Sequence, residues 1–107
     1  MSVNKVILLG NVGADPEIRY PSQDQPIAFF NLATNEQRGP AKVTVWLHIV
    51  MTGKKARMAE NYIRKGTKLY LEGTLRTREY TDRMQIVRRR TEIWVTTFEL
   101  LGRSTQQ

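Results

Sequence analysis

The chain has no cysteine among its 107 residues, which excludes disulfides, thiolate metal sites and cysteine nucleophiles. Its longest aliphatic run, residues 6–9, is much too short to cross a bilayer, and no basic stretch followed by an apolar one marks a secretory signal. The single histidine, His48, and the scattered carboxylates offer neither zinc-ligand spacing nor an acid–base pair. We therefore predict a protein that is not an enzyme, holds no metal or cofactor and has no membrane association.

Acidic residues are also scarce. The chain has 17 Lys and Arg but only 10 Asp and Glu, which gives a net charge of +7. The excess lies entirely in the second half: residues 1–53 hold four residues of each sign, whereas residues 54–107 hold thirteen basic and six acidic ones. Such an excess favours a polyanionic partner, because it attracts phosphates over a long range. A solvated basic surface without a partner is the alternative.

The hydropathy pattern predicts an all-β domain. Alternating apolar residues indicate strands at residues 3–12, 27–35, 42–52, 67–80 and 85–101, with a short extended piece at 17–20. Residues 53–65 are the one helix candidate. Three strands, a helix and two strands are the element order of an OB-fold, a five-stranded Greek-key barrel with its helix between strands 3 and 4. We assign residues 1–102 to this domain and residues 103–107 to a short polar tail.

The first strand is apolar on both faces, with Val6 and Leu8 on one side and Ile7 and Leu9 on the other. A barrel of this size buries only one face of a strand. The second face predicts a contact with another copy of the chain, so we expect a homo-oligomer, either a tetramer or a dimer.

The predicted strand at 67–80 has one apolar face, suited to the core, and one polar, aromatic face. Leu69 and Leu71 share the core face, and the opposite face carries four side chains suited to nucleic acid: Tyr70, Arg76, Arg78 and Tyr80. Cations for phosphates and flat rings for bases are what a sequence-tolerant single-strand surface needs.

Two tryptophans add to this candidate surface. Trp46 lies opposite the apolar face of its strand, which favours a base platform over a subunit contact. Trp94 shares parity with Arg88 and Arg90, and it would either stack on bases or cover a subunit contact. The basic run at 88–90 would serve as a track for a phosphate backbone.

Five stretches carry a family resemblance: NKVILLGNVG at 4–13, DPEIRY at 15–20, LAT at 32–34, YIRKG at 62–66 and YLEGTLRTR at 70–78. Together with Trp46, they resemble bacterial and mitochondrial single-stranded DNA-binding proteins over nearly all of residues 3–101. The resemblance implies an OB-fold that assembles as a homotetramer and binds single-stranded DNA in replication, recombination and repair. It implies a cytoplasmic, nucleoid-associated location or, alternatively, the mitochondrial matrix.

The resemblance also implies roles for individual residues. Trp46 matches a base-stacking tryptophan of the family, and Tyr80 stands where relatives often carry another. Six basic residues match positions that, in the family, contact the DNA phosphate backbone or lie close to such positions: Lys5, Lys54, Arg64, Lys65, Arg76 and Arg78.

Several positions depart from the family pattern. Arg38 stands where many relatives have a stacking tryptophan, and its guanidinium would partly replace that ring. Thr52 replaces a phenylalanine, and His48 lies one site beyond a histidine linked to subunit assembly in relatives. The sequence ends without the acidic, hydrophobic tip of bacterial relatives, so recruitment of partners through such a tail is not expected. An RNA-binding or primosome-type OB-fold adaptor is the alternative function.

Overall fold

The structure, a computed structural model, describes residues 1–103. Six strands and one helix follow one another along the chain: β1 (Val6–Val12), β2 (Glu17–Ser22), β3 (Gln25–Arg38), β4 (Ala41–Thr52), α1 (Lys54–Tyr62), β5 (Thr67–Thr81) and β6 (Val87–Arg103). No helix in this part of the chain is long and apolar enough to span a bilayer.

The strands form one sheet that closes on itself. Their order is β1-β5-β6-β4-β3-β2, and β1 also pairs with β3 through Asn11↔Ala33 and Val12↔Leu32. Neighbouring strands are antiparallel except for β4 and β6, which run parallel at Ile49↔Ile93 and Val50↔Trp94. Because β1 bridges β5 and β3, the sheet is a barrel, which confirms the predicted OB-fold architecture.

The strand count differs from the predicted five because residues 17–22 form a paired strand instead of an isolated extended piece. Glu17, Ile18 and Arg19 pair with Phe29, Ala28 and Ile27 of β3 before an irregularity near Ser22. The helix consequently lies between β4 and β5, and it is shorter than the predicted 53–65 span. Its N-cap residue, Gly53, has a φ of 62° and supplies no side-chain hydrogen bond.

The core follows the period-two pattern of the strands. Leu69 and Leu71 of β5 are fully buried, as their parity predicts, and α1 covers one end of the barrel with Ala56 and Ala59. The other side chains of this core cluster come from four strands and the segment after the helix: Val12, Ala28, Phe30, Leu32, Ile49, Met51, Ile63, Ile93 and Val95.

The hairpin of β5 and β6 extends well past the barrel. Its ladder continues from Gly73↔Val95 to Thr81↔Val87, and most side chains at residues 75–91 are exposed. We call residues 74–94 the arm. The arm matters for function because it carries most of the predicted arginines on a surface with little core behind it.

Candidate nucleic-acid interface

Trp46 lies open on the outer face of β4. It is 57% exposed and opposes Ala33 of β3, so its parity prediction is correct. Its ring rests against the backbone of Gly13, since a Cβ placed on Gly13 would approach the ring to 2.4 Å. The indole therefore has a firm support on one side and solvent on the other.

His48 continues the same face of β4. Its Nδ1 lies 2.9 Å from Asn31 Oδ1, and the two residues are opposite each other in the β3–β4 ladder. They line an open cavity of about 240 Å³ whose other walls include Phe29, Val50 and Arg90. The cavity places amide, imidazole and guanidinium groups between Trp46 and the arm.

On the arm, guanidiniums and aromatic rings alternate. The Arg76 guanidinium lies over the Trp94 ring at 4.4 Å from its centroid. Arg90 and Arg78 lie 5.4 and 6.0 Å from the centroid of Tyr80. These distances are within the range of cation–π attraction. The even-numbered side chains that β5 and β6 present here form what we call the arm face: Arg76, Arg78, Tyr80, Arg88, Arg90, Glu92 and Trp94.

A buried carboxylate lies beneath this face. Glu92 is 1% exposed, and Arg78 donates to it from Nη2 at 2.8 Å and from Nε at 3.2 and 3.3 Å. Trp94 Nε1 donates to the same carboxylate at 3.2 Å. Burial acts to raise the pKa of Glu92, but the bonds from Arg78 and Trp94 outweigh it and hold that pKa below its ordinary value. Glu92 is therefore an ionised acid within a cationic surface.

Ion pairing divides the arginines of the arm into two groups. Arg78 pairs with Glu92, Arg88 with Asp82 at 2.8 Å and Arg89 with Glu79 at 3.3 Å. Within residues 1–103, Arg76 and Arg90 form no ion pair. The net positive charge of the arm face thus comes from the two guanidiniums that lie over rings.

The Trp46 region and the arm face form one surface. The parallel pairing of β4 with β6 places Val50 beside Trp94, and by the same register His48 lies beside Glu92. Trp46, His48, Trp94 and the arginines of the arm face consequently point out of the same side of the sheet. This side joins exposed rings to unpaired cations.

Lys5 and Tyr70 belong to a different cluster. Lys5 Nζ lies 3.3 Å from Glu72, and the Tyr70 hydroxyl donates to the same carboxylate, which raises the pKa of Tyr70. A strand rises about 3.3 Å per residue, so Tyr70 lies roughly 30 Å along β5 from Tyr80. Tyr70 instead neighbours Leu9 in the β1–β5 ladder. The structure therefore does not bring these two residues to the arm face.

The three predicted cations near the helix have different surroundings. Lys54 is exposed at the start of α1. The Arg64 guanidinium donates to the carbonyls of Glu60 and Ile63, both at 2.8 Å, so it closes the end of the helix. The backbone N–H of Lys65 donates to Asp15 at 2.8 Å, which ties this lysine to the loop that begins at Gly13 under Trp46.

Arg38 lies at the tip of the β3–β4 hairpin. It pairs with Glu36 at 3.2 Å. In the ladder it opposes Ala41, so it falls on the face opposite to Trp46. The predicted stacking site at this position is thus separated from the Trp46 ring by the sheet.

The sequence reasoning missed three residues of the site. Asn31 has the same parity as Phe29, and this parity was the available signal for its place opposite His48. Nothing local in the sequence marks the contact of Gly13 with Trp46. The complete burial of Glu92 depends on the β4–β6 pairing, which the period-two pattern does not reveal.

These features define a class of protein: an OB barrel whose outer face combines exposed aromatic rings with cations. Within residues 1–103, no group of three or more His, Asp or Glu side chains is placed to hold a metal ion. The sequence profile of the single-strand binding protein family matches residues 3–101. The chain therefore belongs to the single-strand binding protein family.

Two relatives illustrate the match. A single-stranded DNA-binding protein of Bacteroides thetaiotaomicron is 44% identical over 111 aligned positions, which cover 95% of this chain and 68% of the relative. The solved structure described as a Plasmodium falciparum SSB complex with ssDNA superposes with a TM-score of 0.83 at 30% identity and covers 97% of both chains. The similarity therefore extends over the entire OB barrel.

Proposed function

We propose that this protein binds and coats single-stranded DNA with little sequence preference. The observation that carries the proposal is the open Trp46 ring on the same side of the sheet as the arm face, where Arg76 and Arg90 form no ion pair with any residue of the described part of the chain, 1–103. The likeness to a structure solved with ssDNA supports the same ligand.

The mechanism combines stacking with charge. Bases stack on Trp46, which is supported from below by Gly13, and on the half-buried ring of Tyr80. Free guanidiniums bind phosphates and release condensed counterions, so the affinity falls steeply with salt. Because stacking needs only the flat face of a base, the binding tolerates any sequence.

The biological role follows from mass action. A protein that binds only unpaired strands shifts the duplex equilibrium towards them, which melts hairpins and protects exposed DNA. We assign this activity to replication, recombination and repair, without covalent chemistry. We propose a cytoplasmic, nucleoid-associated location, with the mitochondrial matrix as the alternative; the bacterial relative at 44% identity supports the first.

Self-association is a second part of the proposal. Ile7 and Leu9 project from the outer face of β1 and are 57% and 51% exposed. Neighbouring exposed apolar side chains of this kind are typical of contact surfaces. We assign this face, with Tyr70 at its edge, to a contact between copies of the chain in a dimer or tetramer.

The experiment is a titration of the full chain with oligothymidine, followed by tryptophan fluorescence at several salt concentrations. We expect quenching, tight binding at low salt and a linear loss of log K with log salt. Folded RNA and duplex DNA serve as competitors. An affinity that ignores salt contradicts the mechanism, and a preference for folded RNA would identify an RNA-binding adaptor instead.

A further inference from the structure

We propose that Glu92 and Trp94 are positioning residues of the binding surface. Glu92 removes Arg78 from phosphate binding, and Trp94 carries the Arg76 guanidinium instead of stacking on a base. The inference rests on the proposed function, because it assigns roles within the same DNA-binding face.

The case for Glu92 begins with its burial. A carboxylate that is 99% covered on a face meant for phosphates repels the ligand unless a cation neutralises it. Arg78 does this through three donor–acceptor contacts of 2.8 to 3.3 Å, although its own side chain is 43% exposed. Arg78 is therefore already paired before any DNA arrives. A phosphate that approaches it meets a neutral pair and displaces no additional counterion.

Trp94 is fixed by the same carboxylate. Its indole N–H donates to Glu92 Oε1 at 3.2 Å, which sets the orientation of the ring. The Arg76 guanidinium covers that ring at 4.4 Å from the centroid. This guanidinium is closer to its ring than Arg90 and Arg78 are to the Tyr80 ring, at 5.4 and 6.0 Å, so a base would have to displace it to stack on Trp94. Glu92 consequently holds Arg78 directly and Arg76 through Trp94.

This arrangement separates the arginines of the arm by function. Arg76 and Arg90 are oriented by the rings of Trp94 and Tyr80 and keep their full charge. Arg78, Arg88 and Arg89 are neutralised by Glu92, Asp82 and Glu79. The arm holds six arginines, of which Arg83 lies in the turn at its tip. On the arm face, the structure assigns phosphate binding to two of them, Arg76 and Arg90.

The first test compares salt dependence in Arg76→Gln and Arg78→Gln, with oligothymidine as the ligand. Each phosphate contact to a single strand adds about 0.7 to the slope of log K against log salt. We expect Arg76→Gln to reduce the slope by about this amount. Arg78→Gln leaves the buried Glu92 carboxylate without its cation and so lowers the affinity at every salt concentration, because a buried charge is little screened by salt. It removes no phosphate contact, so we expect its slope to be unchanged. Equal reductions in the two variants would overturn the inference.

The second test frees Arg78. Glu92→Gln keeps an oxygen for the Trp94 N–H but removes the charge that neutralises Arg78. We expect a slope that is steeper than that of the wild type by about 0.7, and a wild-type slope again in the double variant Arg78→Gln/Glu92→Gln. If Glu92 has only a structural role, Glu92→Gln should weaken DNA binding without a steeper slope of log K against log salt. If Glu92→Gln does not fold, the comparison of Arg76 with Arg78 decides alone.

The third test uses the fact that the chain has two tryptophans. Trp94→Phe leaves Trp46 as the only indole, and Trp46→Phe leaves Trp94. At saturating oligothymidine and low salt, we expect strong quenching of Trp46 and weak quenching of Trp94. Equal quenching would show that Trp94 stacks on bases. If the wild type does not bind oligothymidine at all, the proposed function fails, whereas binding with the wrong slopes or quenching refutes only this inference.

Discussion

Gly13 supports the indole of Trp46 from below, with room for a hydrogen and for nothing larger. A Cβ on Gly13 would lie 2.4 Å from Trp46 Cζ3 and 3.0 Å from Cη2. Gly13 also donates its N–H to the Asn31 carbonyl at 3.0 Å, which holds the loop against β3. The position of the ring that we propose to stack on bases is thus set by the absence of a side chain in a neighbouring loop.

Gly13→Ala should weaken DNA binding more than it weakens folding. The Trp46 ring is 57% exposed, so it can move away from the new methyl group at a folding cost below about 1 kcal/mol. The displaced ring then meets a base in the wrong orientation. Oligothymidine affinity and denaturant unfolding of the same variant provide the measurement.

Gly10→Ala is the matched control. A Cβ there would lie 2.3 Å from the Ala33 carbonyl oxygen, which belongs to the backbone and cannot move aside. We expect this variant to lose about 1–3 kcal/mol of unfolding free energy. If both variants lose the same stability, the Trp46 ring is held more rigidly than its exposure indicates.

Alanine at Trp46 or Tyr80 should reduce binding without harming the barrel. Loss of one stacking ring costs about 1–3 kcal/mol, or roughly 5- to 150-fold in affinity. Tyr62→Ala is the control, because Tyr62 is a 62% exposed ring at the end of α1 and away from the arm face. Titrations with oligothymidine test all three variants, and a Tyr62→Ala defect as large as that of Trp46→Ala would argue against the assigned surface.

The Glu92–Arg78 pair should make stability depend on pH. The pKa of Glu92 is lowered in the folded protein, so its contribution is complete above its ordinary value near 4.5 and is lost as pH falls through the lower folded value. At pH 7, Glu92→Gln should unfold more easily than the wild type. The difference in unfolding free energy should shrink as the pH falls below the ordinary value near 4.5, and urea titrations at a series of acidic pH values measure it. A difference that stays constant would mean that the carboxylate charge does not matter.

Charge on the outer face of β1 should dissociate the assembly. Ile7→Lys and Leu9→Glu each place a charge on an exposed position, so the isolated barrel should keep its fold while contact with another copy is blocked. Light scattering reports the mass, and circular dichroism reports the fold. Ser22→Lys is the control, since Ser22 is an exposed residue of β2, which pairs with β3 at the other end of the strand order. An unchanged mass in the β1 variants would exclude this face as the contact.

The period-two pattern was sufficient to predict most of the fold. Leu69, Leu71 and Ile49 are buried, and Trp46 is exposed, because alternation fixes which side of a strand each residue occupies. The pairing of residues 17–22 with β3 was not visible, because this strand has only Ile18 as a half-buried apolar residue. A strand held mainly by backbone bonds leaves little hydrophobic signal.

The site was predictable at the level of residue types and less so at the level of pairing. Parity alone placed Arg76, Arg78 and Tyr80 on one face, and the ladder agrees. Parity could not show that Arg78 is neutralised by Glu92, because that depends on the β5–β6 register and on burial by β4. It also grouped Tyr70 with the arm, since period two carries no information about distance along a long strand.

The projecting arm has a dynamic consequence. Beyond Arg76↔Glu92 its two strands are held by their own ladder and by surface side chains, and a two-stranded hairpin of this kind is only marginally stable in water. Backbone amides near its tip should therefore exchange with solvent through local fraying while the barrel amides stay protected. A bound DNA strand that contacts both the arm and the barrel would slow this exchange. DNA binding would therefore order the tip of the arm.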